Sequence, residues 1–116
     1  MAEAPIDTDR LFFALSDKTR RQLLAQLALG PRTVSDLARA LGISVAATMQ
    51  HLAILQETRL AATEKSGRVR TCRIDSRGFN ALESWTRSHR MLWEMRVDRL
   101  GEMLGSIGKD GSTTDT

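Results

Sequence analysis

Two neighbouring stretches of the chain hold the residues best suited to recognition chemistry. Lys65, Arg68 and Arg70 stand close together against a single nearby acid, Glu64. Cations at this density attract the phosphates of a polyanion. The stretch just before them, residues 44–56, carries no formal charge. An uncharged segment beside a basic one suits a surface on which the cations hold phosphates and the segment reads base edges.

The uncharged stretch is the second of two helices predicted to meet at a tight corner. Between Thr33 and Gly42 apolar residues recur at helical spacing, and the glycine stands where a left-handed residue ends a helix. Ser44 precedes the next apolar run, as an N-cap does. This is the anatomy of a helix-turn-helix, whose second helix enters the major groove of DNA. That helix is predicted to turn Thr48, Leu52 and Leu55 inward and Val45, Ala46, Met49, Gln50 and Ala53 outward.

Two short extended runs follow, at residues 60–65 and 69–74, with Ser66-Gly67-Arg68 as the turn between them. A ribbon this short is unstable alone and must pack against the helices. In that position it is the wing of a winged helix-turn-helix, and its cations are predicted to contact phosphates and the minor groove. The sequence therefore predicts a mainly α domain with a small β-hairpin wing that binds double-stranded DNA.

A further helix is predicted before this motif, with Ser16 as its N-cap and Gly30 as its stop. Near its start lies a basic cluster, for which an ordinary solvated face and a phosphate contact are equal alternatives. The cluster is Lys18, Arg20 and Arg21, and the expected buried residues are Leu23, Leu24, Leu27 and Leu29.

The first and last helices carry an excess of apolar residues. The first has Asp7 or Thr8 as its candidate N-cap and is apolar on more than one face, so it is expected to pack on two surfaces. The last covers residues 76–104, holds both tryptophans and has more than one apolar stripe. Because a terminal helix has one side for its own core, the surplus predicts a subunit interface, with wrapping over a single core as the alternative.

Composition limits the class of protein. A chain of 116 residues, with net charge +3 and pI about 9.7, predicts one small domain that a partner subunit would help to stabilise. The expected limits are a tail at residues 1–6, a DNA-binding and dimerisation domain at 7–105 and a disordered tail at 106–116. A single cysteine, no signal peptide and no apolar run of membrane-spanning length predict a cytoplasmic protein without membrane contact.

The segments LARALGIS, QHLAIL and SGRVRTCRI resemble the ArsR (arsenical-resistance repressor) family of winged-helix regulators. The resemblance covers roughly residues 9–104 and includes the opening ALSDKTRRQLLAQL. It implies a homodimeric bacterial transcription factor, usually a repressor that releases an inverted repeat on a signal. It also implies that His51 lies near the DNA backbone, a half-buried packing role being the alternative. In the family the last helix pairs with its twin and with the first helix, which implies interface residues Leu11, Phe12, Trp85, Leu92, Trp93 and Leu100.

The chain departs from the family pattern at several positions. Arg59 replaces a common glycine after the second helix of the motif, which indicates a different cap there. Cys72 replaces a common aromatic residue. Met49 and Gln50 replace a frequent Ser-Arg pair, so base preference should depend on Gln50, helped by methyl contacts from Val45, Ala46 or Met49. The complete predicted DNA-contact set is Ser44, Val45, Ala46, Met49, Gln50, His51, Lys65, Arg68 and Arg70.

Metal or redox sensing has little support in the sequence. The Cys-x-Cys pair of metal-sensing relatives is missing from the first helix of the motif, and His89 and Glu94 are five residues apart, off the usual ligand spacing. Cys72 lies on an apolar strand, where packing is the usual role, although nearby arginines could lower its pKa. The segment SWTRSHRMLWEMRVDRLGEML resembles a non-metal-sensing subgroup of the family. No metal and no cofactor are therefore expected, and the effector, if one exists, is unknown.

Together these features predict a homodimeric, sequence-specific transcriptional regulator that represses from a palindromic operator, with its own operon as one candidate target. Two other classes stay open: a metal- or small-ligand-responsive derepressor, and a winged helix that binds an acidic protein. An enzyme is not expected, because the sequence offers no nucleophile–base pair, phosphate loop or metal cluster.

Overall fold

The computed structural model describes residues 5–107 and shows five helices and three short strands. Of the described residues, 5–83 and 84–107 belong to two separate compact units, which are described individually. The elements in chain order are α1 (Thr8–Leu15), α2 (Lys18–Leu27), β1 (Arg32–Thr33), α3 (Val34–Leu41), α4 (Val45–Glu57), β2 (Ala61–Ser66), β3 (Val69–Ile74) and α5 (Ser76–Ile107).

Leucine supplies most of the core of the first unit. Each helix from α1 to α4 turns one apolar stripe inward, so that burial of side chains drives the packing of all four. Ile6, within the predicted N-terminal tail, also packs against this core, whereas residues 1–4 lie outside the described part of the chain. The fully or nearly fully buried apolar residues are Leu11, Ala14, Leu23, Leu24, Leu27, Val34, Leu37, Ala38, Leu52, Leu55, Leu60, Ala61 and Cys72.

The predicted hairpin is confirmed, and it belongs to a larger sheet. β2 and β3 pair antiparallel from Ala61 opposite Ile74 to Ser66 opposite Val69. Gly67, at φ 62°, occupies the first position of the two-residue turn, where a positive φ suits the twist of the strands. β1 was not predicted; its two residues pair with β3 and give the strand order β1-β3-β2.

The start of α2 differs from the prediction. Ser16 is the C-cap of α1, where its hydroxyl donates to the Phe13 carbonyl at 2.7 Å, and Asp17 is the N-cap of α2, accepting from the Arg20 amide at 3.0 Å. That bond lowers the pKa of Asp17. The helix ends at Leu27, so Leu29 is not buried as expected but 76% exposed.

The two helices of the helix-turn-helix end in the same cap, contrary to the different cap expected at Arg59. Gly42 and Arg59 are both left-handed, with φ 67° and 60°. In each case the next amide bonds back to the carbonyl five residues earlier, Ile43 to Ala38 at 3.1 Å and Leu60 to Leu55 at 2.8 Å, which is the Schellman pattern. Arg59 therefore adopts the conformation that glycine would, at a steric cost.

The final helix runs three residues beyond its predicted end at 104 and reaches Ile107; the remainder of the predicted C-terminal tail lies outside the described residues. Within the second unit, apolar side chains occupy more than one side of the helix. Trp93 is 65% exposed and Leu100 54% exposed in the single chain. Trp85 stacks on His89 with ring centroids 4.0 Å apart.

Candidate nucleic-acid interface

The second helix of the helix-turn-helix, α4, begins as the sequence predicts. The Ser44 hydroxyl accepts from the Ala47 amide at 3.0 Å, and the buried Thr48 hydroxyl donates to the Ser44 carbonyl at 2.9 Å. A left-handed turn at Gly42 precedes the helix, and α3 and α4 are bent by 110° relative to each other. The local hydrogen bonds fix where α4 begins, immediately after that turn.

One face of α4 is exposed and uncharged. Ala46, Gln50 and Ala53 lie along its middle, one helical turn apart, and all three are exposed. On the edge of that face, Val45 is 51% and Met49 38% exposed. The outward orientation predicted for these five residues is confirmed, as is the inward one of Thr48, Leu52 and Leu55.

The wing lies beside that edge of α4. Val45 and Met49 line a shallow groove together with Arg68, Val69 and Arg70, and the start of α3, residues 33–35, closes its end. The fold thus brings the predicted helix residues and two of the three predicted wing cations onto one surface. Lys65, the third cation, is exposed and is the direct cross-strand partner of Arg70.

Hydrogen bonds between side chains connect the wing to α4. The Thr63 hydroxyl accepts from Gln56 at 2.7 Å and from Arg70 at 3.1 Å. These contacts hold the Arg70 guanidinium against the helices, while Arg68 stays exposed in the turn. Neither this link nor Val69, which is 50% exposed in the groove, was predicted. Strand alternation was the available signal, because it places Arg70 on the same face as the buried Cys72.

His51 lies on the other edge of α4, facing α2. Its Nδ1 is 3.4 Å from Nη1 of Arg20 and 3.9 Å from Oδ2 of Asp17, and its side chain is 25% exposed. The half-buried packing role is therefore present in the structure. This edge and the wing edge lie on either side of the face formed by Ala46, Gln50 and Ala53.

The basic cluster at the start of α2 divides, since Lys18 and Arg21 are exposed, as on a solvated face, whereas Arg20 is buried. Arg20 is 6% exposed, and its guanidinium donates to the carbonyls of Ala14 at 2.7 Å and Phe13 at 2.9 Å. Arg21 donates to the carbonyl of Leu15 at 2.7 Å. Both arginines thus bind carbonyls at the C-terminal end of α1. Lys18 alone is exposed without such a bond in the described structure.

The predicted interface residues separate into two groups. Leu11 is fully buried in the chain's own core, so its assignment to a subunit interface is wrong. Phe12 is 41% exposed on the first unit. On the second unit Leu92 is 44% exposed, Trp93 and Leu100 more so, and Trp85 is partly exposed beside His89.

Cys72 is fully buried, which confirms the packing role. Burial raises the pKa of its thiol and outweighs the opposing charge of Arg70, so the thiolate is not favoured. Within residues 5–107, no three His, Cys, Asp or Glu side chains lie together as metal ligands would. Over the same range no single helix could cross a membrane, although the bent pair α3 and α4 passes jointly on length and composition, as core helices also do.

A helix-turn-helix followed by an antiparallel hairpin beside the second helix defines a winged helix-turn-helix protein. The family described as "Bacterial regulatory protein, arsR family" matches residues 17–63. The HTH-type transcriptional regulator Rv2034 of Mycobacterium tuberculosis is 40% identical over 85 residues, which cover 69% of this chain and 79% of that protein. The chain belongs to the ArsR family of bacterial transcriptional regulators, and it is not an enzyme.

Solved structures agree with this assignment. The crystal structure of the ArsR family transcriptional regulator RHA00566 is similar with a TM-score of 0.71 and 40% identity, covering 81% of this chain and 97% of that one. The homodimeric winged helix-turn-helix DNA-binding domain Mb0332 from Mycobacterium bovis, a solution NMR structure, has a TM-score of 0.56 and 25% identity, covering 82% of each chain.

Proposed function

We propose that this regulator is a cytoplasmic, homodimeric repressor that binds an inverted-repeat operator through α4 and the wing. The observation that carries the proposal is the surface on which an exposed, uncharged helix face adjoins Arg68 and Arg70. In addition, Lys65 and Arg70 are directly opposed on β2 and β3, and like charges in that position repel. Phosphates beside the wing would relieve this repulsion and release counterions.

On this proposal the exposed face of α4 reads bases in the major groove. Gln50 is the side chain there able to make a bidentate contact, and adenine N6 and N7 are its usual partners. Val45, Ala46 and Met49 offer methyl groups to thymine, and Ser44 lies at the start of the helix, where contacts to base edges concentrate. Arg68, Arg70 and Lys65 would fix the register without reading sequence.

A second copy is proposed to cover the exposed apolar residues. Large apolar side chains exposed in such number along one helix, as along α5, mark an interface. The related domain Mb0332 is a homodimer. Phe12 on the first unit and Leu92, Trp93 and Leu100 on the second are the proposed contributors. Twofold symmetry would then set two copies of α4 about 34 Å apart, one helical turn of an operator.

The DNA-binding proposal is tested by measuring affinity for a selected operator and for random duplex across a range of salt concentrations. Gln50→Ala should reduce the preference for operator more than it reduces affinity for random duplex. Arg68→Ala should weaken both and reduce the magnitude of the salt slope by about 0.9. Arg39→Ala is the control, since that arginine is paired with Asp36 one turn beyond the groove. Salt-insensitive or absent binding would favour a protein-interaction module.

The dimer proposal is tested by sedimentation of Leu100→Glu. Its control is Leu29→Glu, an exposed leucine outside the proposed interface. The first variant should dissociate into monomers and the second should not. If Leu100→Glu sediments as the parent protein does, the interface does not include this part of α5.

A further inference from the structure

Arg20 is the most buried charged side chain that the DNA-contact proposal leaves without a role. It is 6% exposed, and its contacts reach three helices. Nε and Nη2 donate to Ala14 and Phe13 at the end of α1, its own amide bonds to the Asp17 cap of α2, and Nη1 lies 3.4 Å from Nδ1 of His51 on α4. The guanidinium also lies over the Phe13 ring, 4.9 Å from its centroid. Packing and hydrogen bonds therefore leave it little freedom.

This arrangement determines which nitrogen of His51 carries the proton. An arginine guanidinium only donates hydrogen bonds, so Nδ1 must accept from Arg20 and stay unprotonated. A neutral ring then carries its proton on Nε2. Asp17 is the competing group: its Oδ2 is farther from Nδ1, at 3.9 Å, and already accepts from the Arg20 amide. The nearer partner favours the Nε2–H form.

The position of His51 on α4 would bring its Nε2–H close to a sugar–phosphate strand of bound DNA. The wing cations border one edge of the exposed helix face, and His51 is on the opposite edge. Its side chain is 25% exposed, and among the described residues Nε2 has no hydrogen-bond partner. A helix lying in the major groove has sugar–phosphate strands along both of its edges, and only one of these is served by the wing.

We propose that Arg20 is a positioning residue that holds His51 as the Nε2–H tautomer, and that this N–H donates to a phosphate on the side of the groove away from the wing. The inference rests on the proposed DNA binding. The contact is uncharged, unlike those of the wing. It thus adds affinity for all sequences without releasing a counterion. Its loss should therefore leave the salt dependence of binding unchanged, whereas the loss of an arginine contact should reduce it.

The tautomer is tested by long-range nitrogen–proton NMR of the two histidines, with His89→Gln to assign the signals. At a pH where the ring is neutral, Nε2 of His51 should show the protonated-type shift and Nδ1 the unprotonated one. Arg20→Lys should shift the ring towards a mixture of tautomers. An Nδ1–H ring in the parent protein, directed at Asp17, would overturn the assignment.

The phosphate contact is tested with fluorescein-labelled random duplex and the selected operator. His51→Ala should weaken both about two- to tenfold, as expected for one neutral hydrogen bond, with an unchanged salt slope. His51→Gln, whose amide N–H reaches to a similar place, should restore most of the loss, whereas Arg68→Ala changes the slope. Affinity unaffected by His51→Ala overturns this inference and leaves the proposed function intact. Absence of salt-dependent binding by the parent protein defeats the proposed function itself.

Discussion

Replacing Arg59 with glycine should stabilise the protein. At φ 60° its Cβ crowds the backbone, which costs an L-residue roughly 1–2 kcal/mol relative to glycine. Part of this gain is lost, because glycine gives the unfolded chain more conformational entropy, which lowers the free energy of unfolding by about 0.5–1 kcal/mol. The net expectation is a gain of about 0.5–1 kcal/mol in the free energy of unfolding, or about 2–5 °C in melting temperature.

Two further variants make the measurement decisive. Arg59→Ala removes the guanidinium but keeps the Cβ, so the step from alanine to glycine isolates backbone strain from the side chain's own contacts. Gly42→Ala is the mirror experiment, because its φ is 67° in the same cap and nothing lies within 4 Å of an added Cβ. It should destabilise by about 1 kcal/mol. The reasoning is refuted if chemical denaturation shows Arg59→Gly less stable than Arg59→Ala.

Three other outcomes follow from the same geometry. Gly78→Ala should destabilise by more than about 2 kcal/mol in urea unfolding, because its Cβ would stand 2.5 Å from the Arg59 carbonyl oxygen; a neutral result would mean that this corner relaxes freely. Hydrogen bonds from Arg77 lower the pKa of Asp75, so the carboxylate stabilises the fold above its ordinary pKa of 3.8 and loses that contribution as pH falls through the lower folded value. Urea midpoints between pH 6 and 2 should drop less steeply in Asp75→Asn than in the parent. Cys72 should react with a thiol reagent only after denaturant is added, and rapid labelling of the native protein would contradict its burial.

Local signals in the sequence predicted the recognition elements well. Gly42 and Ser44 mark a turn through their own backbone and side-chain bonds, and Gly67 does the same for the hairpin. Such signals depend only on residues a few positions apart, so they can be interpreted from the sequence without knowing the fold. The outward face of α4 followed from helical spacing alone.

The features that were missed or predicted wrongly depend on contacts between residues distant in the sequence, or on a choice between two neighbouring residues that suit the same role. β1 is two residues long and exists only because β3 lies beside it. Ser16 and Asp17 both suit an N-cap, and their assignment was decided by where α1 ends. Arg20 looked like a surface cation because its carbonyl partners on α1 come from a different helix. Its burial is a tertiary effect with no pattern in the sequence around it.

Polar contacts support α4 at three places, and this bears on how the protein discriminates between DNA sequences. Gln56 ties the helix to the wing through Thr63, His51 meets Arg20 on α2, and Glu57 receives a two-bond contact from Arg10 of α1 at 3.0 and 3.1 Å. The last pair is exposed and contributes little stability on its own. Together, however, the supports approach the helix from three elements, so its orientation is set before DNA arrives. Binding then requires less ordering of the protein, and more of the contact energy is available to distinguish operator from other sequences.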